Sequence, residues 1–526
     1  MKVLTPATHA IEIVRTNDDD YRQDSNLSEN VTRLHQDLLT VSGRIGIVDI
    51  GSNTVRLVVY DVPDRMPIPM FNEKADCRLV EGLAETGCLS PVGVEKAMSS
   101  LRRFILLADA MGVEALDLVA TAAVRDANDG DAFVARVKSE FDIDISVLSG
   151  FEEAELSALG LVSGVPDANG VLCDLGGGSL DLIQLKDGQG ITYGTTPLGH
   201  LRLREMADDN RRKAGKIIDE HLSKIDWLSQ SHGNNLYLTG GIMRAIARVF
   251  INQTRYPLHV VDNFTIRSHT AYDLAKILSR QSAMSLKKTS SLSQTRIKSI
   301  PFATELLRHL IKAIKPENLV FSGFGMREGQ MLKHLPDAMR GNDPLIEGAK
   351  TLSDRTGRFS LKGKEVANWI MPLFPDAPPE DSRRVMAACL LSDIGWNEHP
   401  DYRAEHAFYR TLRIPFAGLS HPDRVFIAAA VYVRYNGDPR ARVVKDVRGL
   451  LESDQLSKVD GIGRAIRLAH TLSGSAPGLL SQTSLERSAD EIILRLPGDS
   501  SAFQSETVER RFRGMCKSLK TKGRIT

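Results

Sequence analysis

The stretch C173-DLGGGSLDL-I183 sets three consecutive glycines between an apolar run and an acidic one. Glycine permits tight or left-handed turns and lets another group approach the main chain closely. Two readings follow from the stretch alone. The turn can expose backbone N–H groups to an anion while the flanking carboxylates attract a cation. Alternatively, it is a glycine-rich β-hairpin with no ligand.

Working outward, the same pattern occurs earlier in the chain. In R44-IGIVDIGSNTVRLVVYD-V62, apolar IGIVDI meets Gly51-Ser52-Asn53 and VRLVVYDV follows, which reads as strand, tight turn, strand. Asp49 and Asp174 hold matching places. Behind the first hairpin, residues 94–112 carry apolar side chains at Val94, Met98, Leu101 and Ile105, a helical spacing. LDLVATAAV and ISVLSG read as strands, and DGDAFVARVKSEF and FEEAELSALGLVSG as helices. After GVLCDLGGGSLDLIQL come LYLTGGIMRAIARVF and ENLVFSGFGMREGQML, each a strand, a glycine turn and a helix. Two α/β halves are therefore expected, each opening with an Asp-headed hairpin.

The chain divides on this reading into a flexible arm (1–43), a first α/β domain (44–170), a second (171–344), a helical region (345–475) and a small C-terminal segment (476–526). SLKKTSSLSQTRIKSIP (285–301), rich in Ser, Thr and Lys, reads as loop. Beyond about residue 345, RRVMAACLLSDIGW, HPDRVFIAAAVYVRYNG and VDGIGRAIRLAHTLSG have helical periodicity, with Pro422 suited to a first turn. DEIILRLPGD alternates like a strand. The closing ETVERRFRGMCKSLKTKGRIT reads as a solvated basic helix face and a fraying tail, with contact to a polyanion as the alternative.

At 526 residues the chain exceeds one ordinary core. Hydrophobic content of 42% and charged content of 25% are ordinary for a globular protein. Lys plus Arg is 67 against 66 for Asp plus Glu, a net charge of +1, so no nucleic-acid partner is expected. The five cysteines form no CxxC pair, which fits a reducing cytoplasm. The N-terminus lacks an apolar signal region and no run is long enough to span a bilayer, so no membrane partner is expected.

Six blocks together, VDIGSNTVRLVVYD, VATAAVRDA, SGFEEAEL, CDLGGGSLDL, LTGGIMRAIA and SGFGMREG, resemble the motif series of the exopolyphosphatase/guanosine-pentaphosphate phosphatase (Ppx/GppA) family. The resemblance runs from about residue 44 to 340. It implies two actin-like domains (sugar-kinase-like and heat-shock-ATPase-like, of ribonuclease H-like type) with a cleft between them. The helical region that follows resembles the HD-like domain of longer members. The implied activity is processive, Mg²⁺-dependent hydrolysis of the terminal phosphate of inorganic polyphosphate, with Mn²⁺ as a substitute and K⁺ as a stimulator. Guanosine pentaphosphate is the alternative substrate within the class. A kinase-like ATPase or a sensor of guanosine tetraphosphate are the alternatives outside it. A homodimer in phosphate metabolism and the stringent response is also implied.

Carried over by motif, Glu153 is the base that activates water, with Glu152 in support; in isolation the pair would read as a solvated helix start. Asp49, Asp174 and Asp181 form the metal environment. Here Leu180-Asp181 replaces the Thr-Glu of GGGSTE-like motifs, so a shorter carboxylate reaches the site through water. Ser52, Asn53, Arg56, Gly176, Gly177, Gly178 and Ser179 bind phosphate oxygens. Arg125 faces phosphate, or else forms a salt bridge with Asp126 or Asp129. Gly240 and Gly241 lie where kinases of the superfamily approach a nucleotide. In the HD-like region, Ser392-Asp393 stands for His-Asp and Arg434-Tyr435-Asn436 for Arg-Tyr-His. No second metal centre is expected there, and Arg434 is expected to line a basic channel.

Overall fold

The computed structural model describes residues 43–61, 66, 68–281, 284–286, 294–358, 363–498 and 502–526. The expected N-terminal arm lies outside the described residues, except for Gly43. The chain forms two compact units, one ending at Asn342 and one running from Asp343 to Thr526. Among the described residues no helix is long and apolar enough to cross a membrane.

The first unit holds two sheets of the same plan. β1 (Arg44–Ile50) pairs antiparallel with β2 (Thr54–Tyr60), which pairs antiparallel with β3 (Pro69–Asp76). On the other side of β1 lie β4 (Val113–Ala120) and β5 (Ile145–Val147), both parallel, giving the order β3-β2-β1-β4-β5. The second sheet repeats this arrangement. β6 (Gly170–Leu175) pairs antiparallel with β7 (Leu180–Lys186), and β7 with β8 (Gln189–Thr196). Beyond β6 come parallel β9 (Asn235–Thr239) and β11 (Asn318–Phe321), with β10 (Phe264–Arg267) antiparallel at the edge. The parallel neighbours need helical crossovers, and the sequence supplies them.

α1 (Pro91–Ala110) and α3 (Gly130–Phe141) cover the outer face of the first sheet, burying Leu101, Phe104, Phe133 and Val137 against Val48, Leu57 and Leu118. The short α2 (Ala122–Arg125) follows β4. α4 (Gly150–Val162) works differently, because it serves both halves. Leu156 joins Ile45, Ile47 and Val58 of the first sheet, while Ala154, Ala158 and Leu161 pack on Leu172 and Ile183 of the second. Its small residues allow close contact: a Cβ on Gly160 would run into the backbone carbonyl of Gly325.

α5 (His200–Met206), α6 (Arg211–Leu222), α7 (Gly241–Gln253), α8 (Ser268–Leu278) and α9 (Gln294–Ile314) pack on the second sheet. α10 (Met326–Lys333) then packs against α4, adding Met331 and Leu332 to the core shared with β1 and β2. α9 corrects the loop expected at 285–301. Residues 294–301 are helical, and Pro301 sits inside the helix. The burial of Ile297, Ile300, Ala303 and Leu307 on one face outweighs the hydrogen bond that proline removes. Residues 287–293 of that expected loop lie outside the described residues.

The second unit is mainly helical, with α11 (Pro344–Thr356), α12 (Gly363–Ile370), α13 (Pro379–Leu390), α14 (Arg403–Leu412), α15 (His421–Arg434), α16 (Gln455–Ser473) and α17 (Glu506–Ser518). α15 is buried on every side and packs against α13, α14 and α16. Its start carries the expected Pro422 and a reciprocal Ser420/Asp423 cap. A small sheet orders β12 (Ser484–Arg487), β13 (Glu491–Arg495) and β14 (Lys522–Ile525). β14 corrects the fraying tail: it lies parallel to β13, and Thr526 exchanges backbone hydrogen bonds with Leu494 and Leu496. Arg434 corrects a second expectation. It is 7% exposed and donates to Asp393 at 2.7 Å, so it does not offer an open cation to a channel.

Candidate active site

The two hairpins place their aspartates at the penultimate positions of β1 and β6, on one side of a cleft of about 240 Å³. Residues directly opposite in an antiparallel ladder share a face. Asp49 pairs with Arg56, whereas Asp174 pairs with Asp181. The first hairpin therefore carries its own counter-charge, and the second sets two carboxylates together.

The hairpin turns meet tip to tip. An ideal Cβ on Gly177 would come 2.9 Å from Ser52 Cβ, and one on Gly178 would lie 3.4 Å from Ser52 Oγ. None of Gly176, Gly177 and Gly178 has positive φ, so close approach, not handedness, explains the run. The turn is fixed by Gly176 N–H donating to Ser179 O at 3.1 Å, and by Gly176, Gly177 and Gly178 carbonyls accepting from residues 199–202. Among the described residues, the N–H groups of Ser52, Gly177 and Gly178 donate to no protein acceptor. They line the cleft as free donors. Gly240 does need its handedness: φ is 97°, and a Cβ there would lie 2.5 Å from Leu175 O.

Glu153 arrives on the first turn of α4. Ser149 caps that helix by accepting from Glu152 N at 3.2 Å, while Glu152 Oε2 accepts from Ser149 N at 2.8 Å. Glu152 is thus a helix cap, and Glu153 is left to face the cleft. One turn on, Ser157 donates to Asp174, so α4 presents both residues to the second hairpin. Arg125 holds Glu153 at 3.4 Å, donates to Leu148 O at 2.7 Å, and also pairs with Asp126 at 3.4 Å. It touches the carboxylate and does not line the cleft.

Glu153 is pushed well above the ordinary carboxylate range by burial, then by Asp181 and Asp174, with Arg125 opposing. Asp181 is raised to about 7, first by burial and then by Asp174, while hydroxyl donors from Thr195 (2.7 Å) and Ser179 (3.2 Å) oppose the shift. It is 2% exposed and stands behind the cleft wall. Asp49 is raised by burial, against Arg327 and Arg56.

Several cleft residues lay outside the motif reading. Arg327 Nε sits 3.9 Å from Asp49, and Glu328 accepts from Tyr60 OH at 3.1 Å and Gly325 N at 2.9 Å. Arg244, whose pKa burial lowers to about 10, donates to Gly323 O at 3.4 Å. Arg296, Lys74 and His200 complete the lining; His200 is kept neutral, at about 4, by burial and by Arg296. Arg244 and Arg327 follow glycine turns by four and two residues, which is the signal that could have found them. Arg296 falls in the segment read as loop.

Residues 58–338 match the Ppx/GppA phosphatase family, and 345–524 match the family described as exopolyphosphatase, C-terminal. The chain belongs to the Ppx/GppA phosphatase family. It is an enzyme, a phosphoanhydride hydrolase. Exopolyphosphatase 1 of Mycobacterium tuberculosis is 28% identical over 321 residues, 58% of this chain and 92% of that protein. Retrograde regulation protein 2 of Saccharomyces cerevisiae is 25% identical over 443 residues, covering 75% of this chain and 73% of that one. Among solved structures, an exopolyphosphatase from Cytophaga hutchinsonii superposes with a TM-score of 0.51 at 24% identity, over 56% of this chain and 99% of that one. That likeness shows the fold, and the paired sheets of this Ppx/GppA chain are of the actin-like type.

Proposed function

We propose that the chain is an exopolyphosphatase in which Glu153 activates the attacking water. The observation that carries this is the position of Glu153: a carboxylate at a cleft floor, gripped by Arg125, opposite free backbone donors. A general base works best with a pKa near the working pH, and burial beside Asp174 and Asp181 moves Glu153 in that direction.

The terminal phosphoryl group would lie between the two turns, its oxygens accepting from Ser52, Gly177 and Gly178 N–H and from Ser52 and Asn53 side chains. Arg56 and Arg327, on the Asp49 side of the cleft, would take charge on the phosphates that follow, since a guanidinium fork matches phosphate oxygens. Arg125 would orient Glu153 rather than bind substrate.

Mg²⁺ typically takes one or two carboxylates, with phosphate oxygens and water completing its shell. Asp49 and Asp174 line the cleft as such a pair. Among the described residues no three His, Cys, Asp or Glu side chains make a complete cage, so the donor set fits an ion that arrives with phosphate. Asp181 would act through water or by holding Asp174's surroundings. When bound, Mg²⁺ would neutralise charge on the phosphate oxygens.

Phosphate release from long-chain polyphosphate, with and without Mg²⁺, tests the reading. Glu153→Gln is expected to lose about 10²–10⁴-fold in turnover with binding retained. Full release by the variant would end the assignment. The same assay on guanosine pentaphosphate separates the two substrates by their relative kcat/KM.

A further inference from the structure

Away from the cleft, the second unit gathers guanidinium groups where the end of α15 meets α16 and α17. Two of them have carboxylate partners: Arg434 is 2.7 Å from Asp393, and Arg464 is 2.8 Å from Asp460. Asp393 is shared further, with Arg358 at 3.3 Å. Arg467 and Arg511 have no carboxylate partner among the described residues. Arg467 donates to the amide oxygen of Asn436, and Arg511 to the hydroxyl of Thr471, one turn along α16 from Arg467.

Donors here outnumber acceptors. Arg434 Nε and Arg511 Nε are enclosed with no hydrogen-bond partner in the protein. Burial, followed by repulsion from Arg511, Arg434, Arg464 and Arg510, lowers the pKa of Arg467 to about 10. Arg511 is likewise lowered by burial and then by Arg434 and Arg510. Like charges held this close destabilise the fold unless something anionic sits among them.

We propose that Arg467 and Arg511, backed by Arg434, form an anion site in the second unit for a phosphoryl oxyanion. Two forked guanidinium groups match the oxygens of a tetrahedral phosphate, and Asn436 and Thr471 supply neutral polar groups at its edge. The anion is either free orthophosphate or a phosphoryl group of a longer chain, which share this chemistry. The choice of phosphate rests on the phosphatase reading of the cleft, but the site itself does not depend on Glu153.

The test uses the full chain without Mg²⁺ at low salt, with orthophosphate and tripolyphosphate as separate probes. Binding is read by calorimetry and by the thermal shift each probe induces, and turnover is measured separately so that the two proposals can fail independently. In Arg467→Gln/Arg511→Gln, affinity for the bound probe is expected to fall at least tenfold and its thermal shift to vanish. Without phosphate the same variant should melt at an equal or higher temperature, because two repelling charges are gone. A loss confined to tripolyphosphate identifies the chain as the ligand; loss of both identifies a single phosphoryl group. Arg467→Lys, which keeps the charge and removes the fork, should weaken binding by an intermediate factor and serves if the double variant does not fold. Unchanged thermal shifts would overturn the site. So would a double variant that melts lower without phosphate and binds as before, since the arginines would then be structural.

Discussion

Asp174 faces Asp181 across its ladder, while Asp49 faces Arg56, and this difference has a pH consequence. Asp181 is raised from 3.8 to about 7, so the folded protein holds a proton that the unfolded chain releases near pH 4. Stability is therefore greatest below about pH 4 as far as this group is concerned, and falls as pH rises towards 7. Glu153 acts in the same direction. In metal-free protein, the melting temperature of Asp181→Asn is expected to fall less between pH 5 and 8 than that of the parent. A parallel fall in both would show that Asp181 is not the titrating group. Asp49, Asp174 and Glu153 were legible because each belongs to a turn or helix start with a local pattern. Arg244, Arg296 and Arg327 were not, because a single arginine on an amphipathic helix has no local signature, and only the folding of that helix onto the cleft gives it a role.

At the scale of elements, α4 decides how the halves meet. Its Ser149 cap, worth about 1 kcal/mol, fixes the first turn that carries Glu153. Its other constraint is space. A Cβ on Gly329 of α10 would collide with the Leu156 carbonyl of α4. Gly329→Ala is expected to destabilise the first unit by about 1–3 kcal/mol, read from the denaturant midpoint, and to lower activity by shifting α4. An unchanged midpoint would mean that the two helices can separate without cost. The strand–turn–helix order of both halves was readable from period and glycine turns. The helix at 294–314 was not, since its polar first turns and Pro301 resemble a loop until the buried face of Ile297 and Ile300 is seen. Nor was β14, four residues whose strand character comes from pairing with β13 and not from alternation of their own.

At the scale of the molecule, each unit has its own buried core, so each should unfold as a cooperative body. Calorimetry of the full chain is expected to show two transitions, with Gly329→Ala lowering one and leaving the other in place; a single transition moving as a whole would contradict this. The meeting of Gly177 with Ser52 has one more consequence. Backbone meets backbone there, so that end of the cleft is a blind alley, and a linear polymer can enter only until its tip stops against the turns. A molecule without a tip has nothing to insert. Cyclic triphosphate is therefore expected to release no phosphate under conditions where linear triphosphate does, and a ring hydrolysed as fast as the open chain would show that the passage is open at both ends.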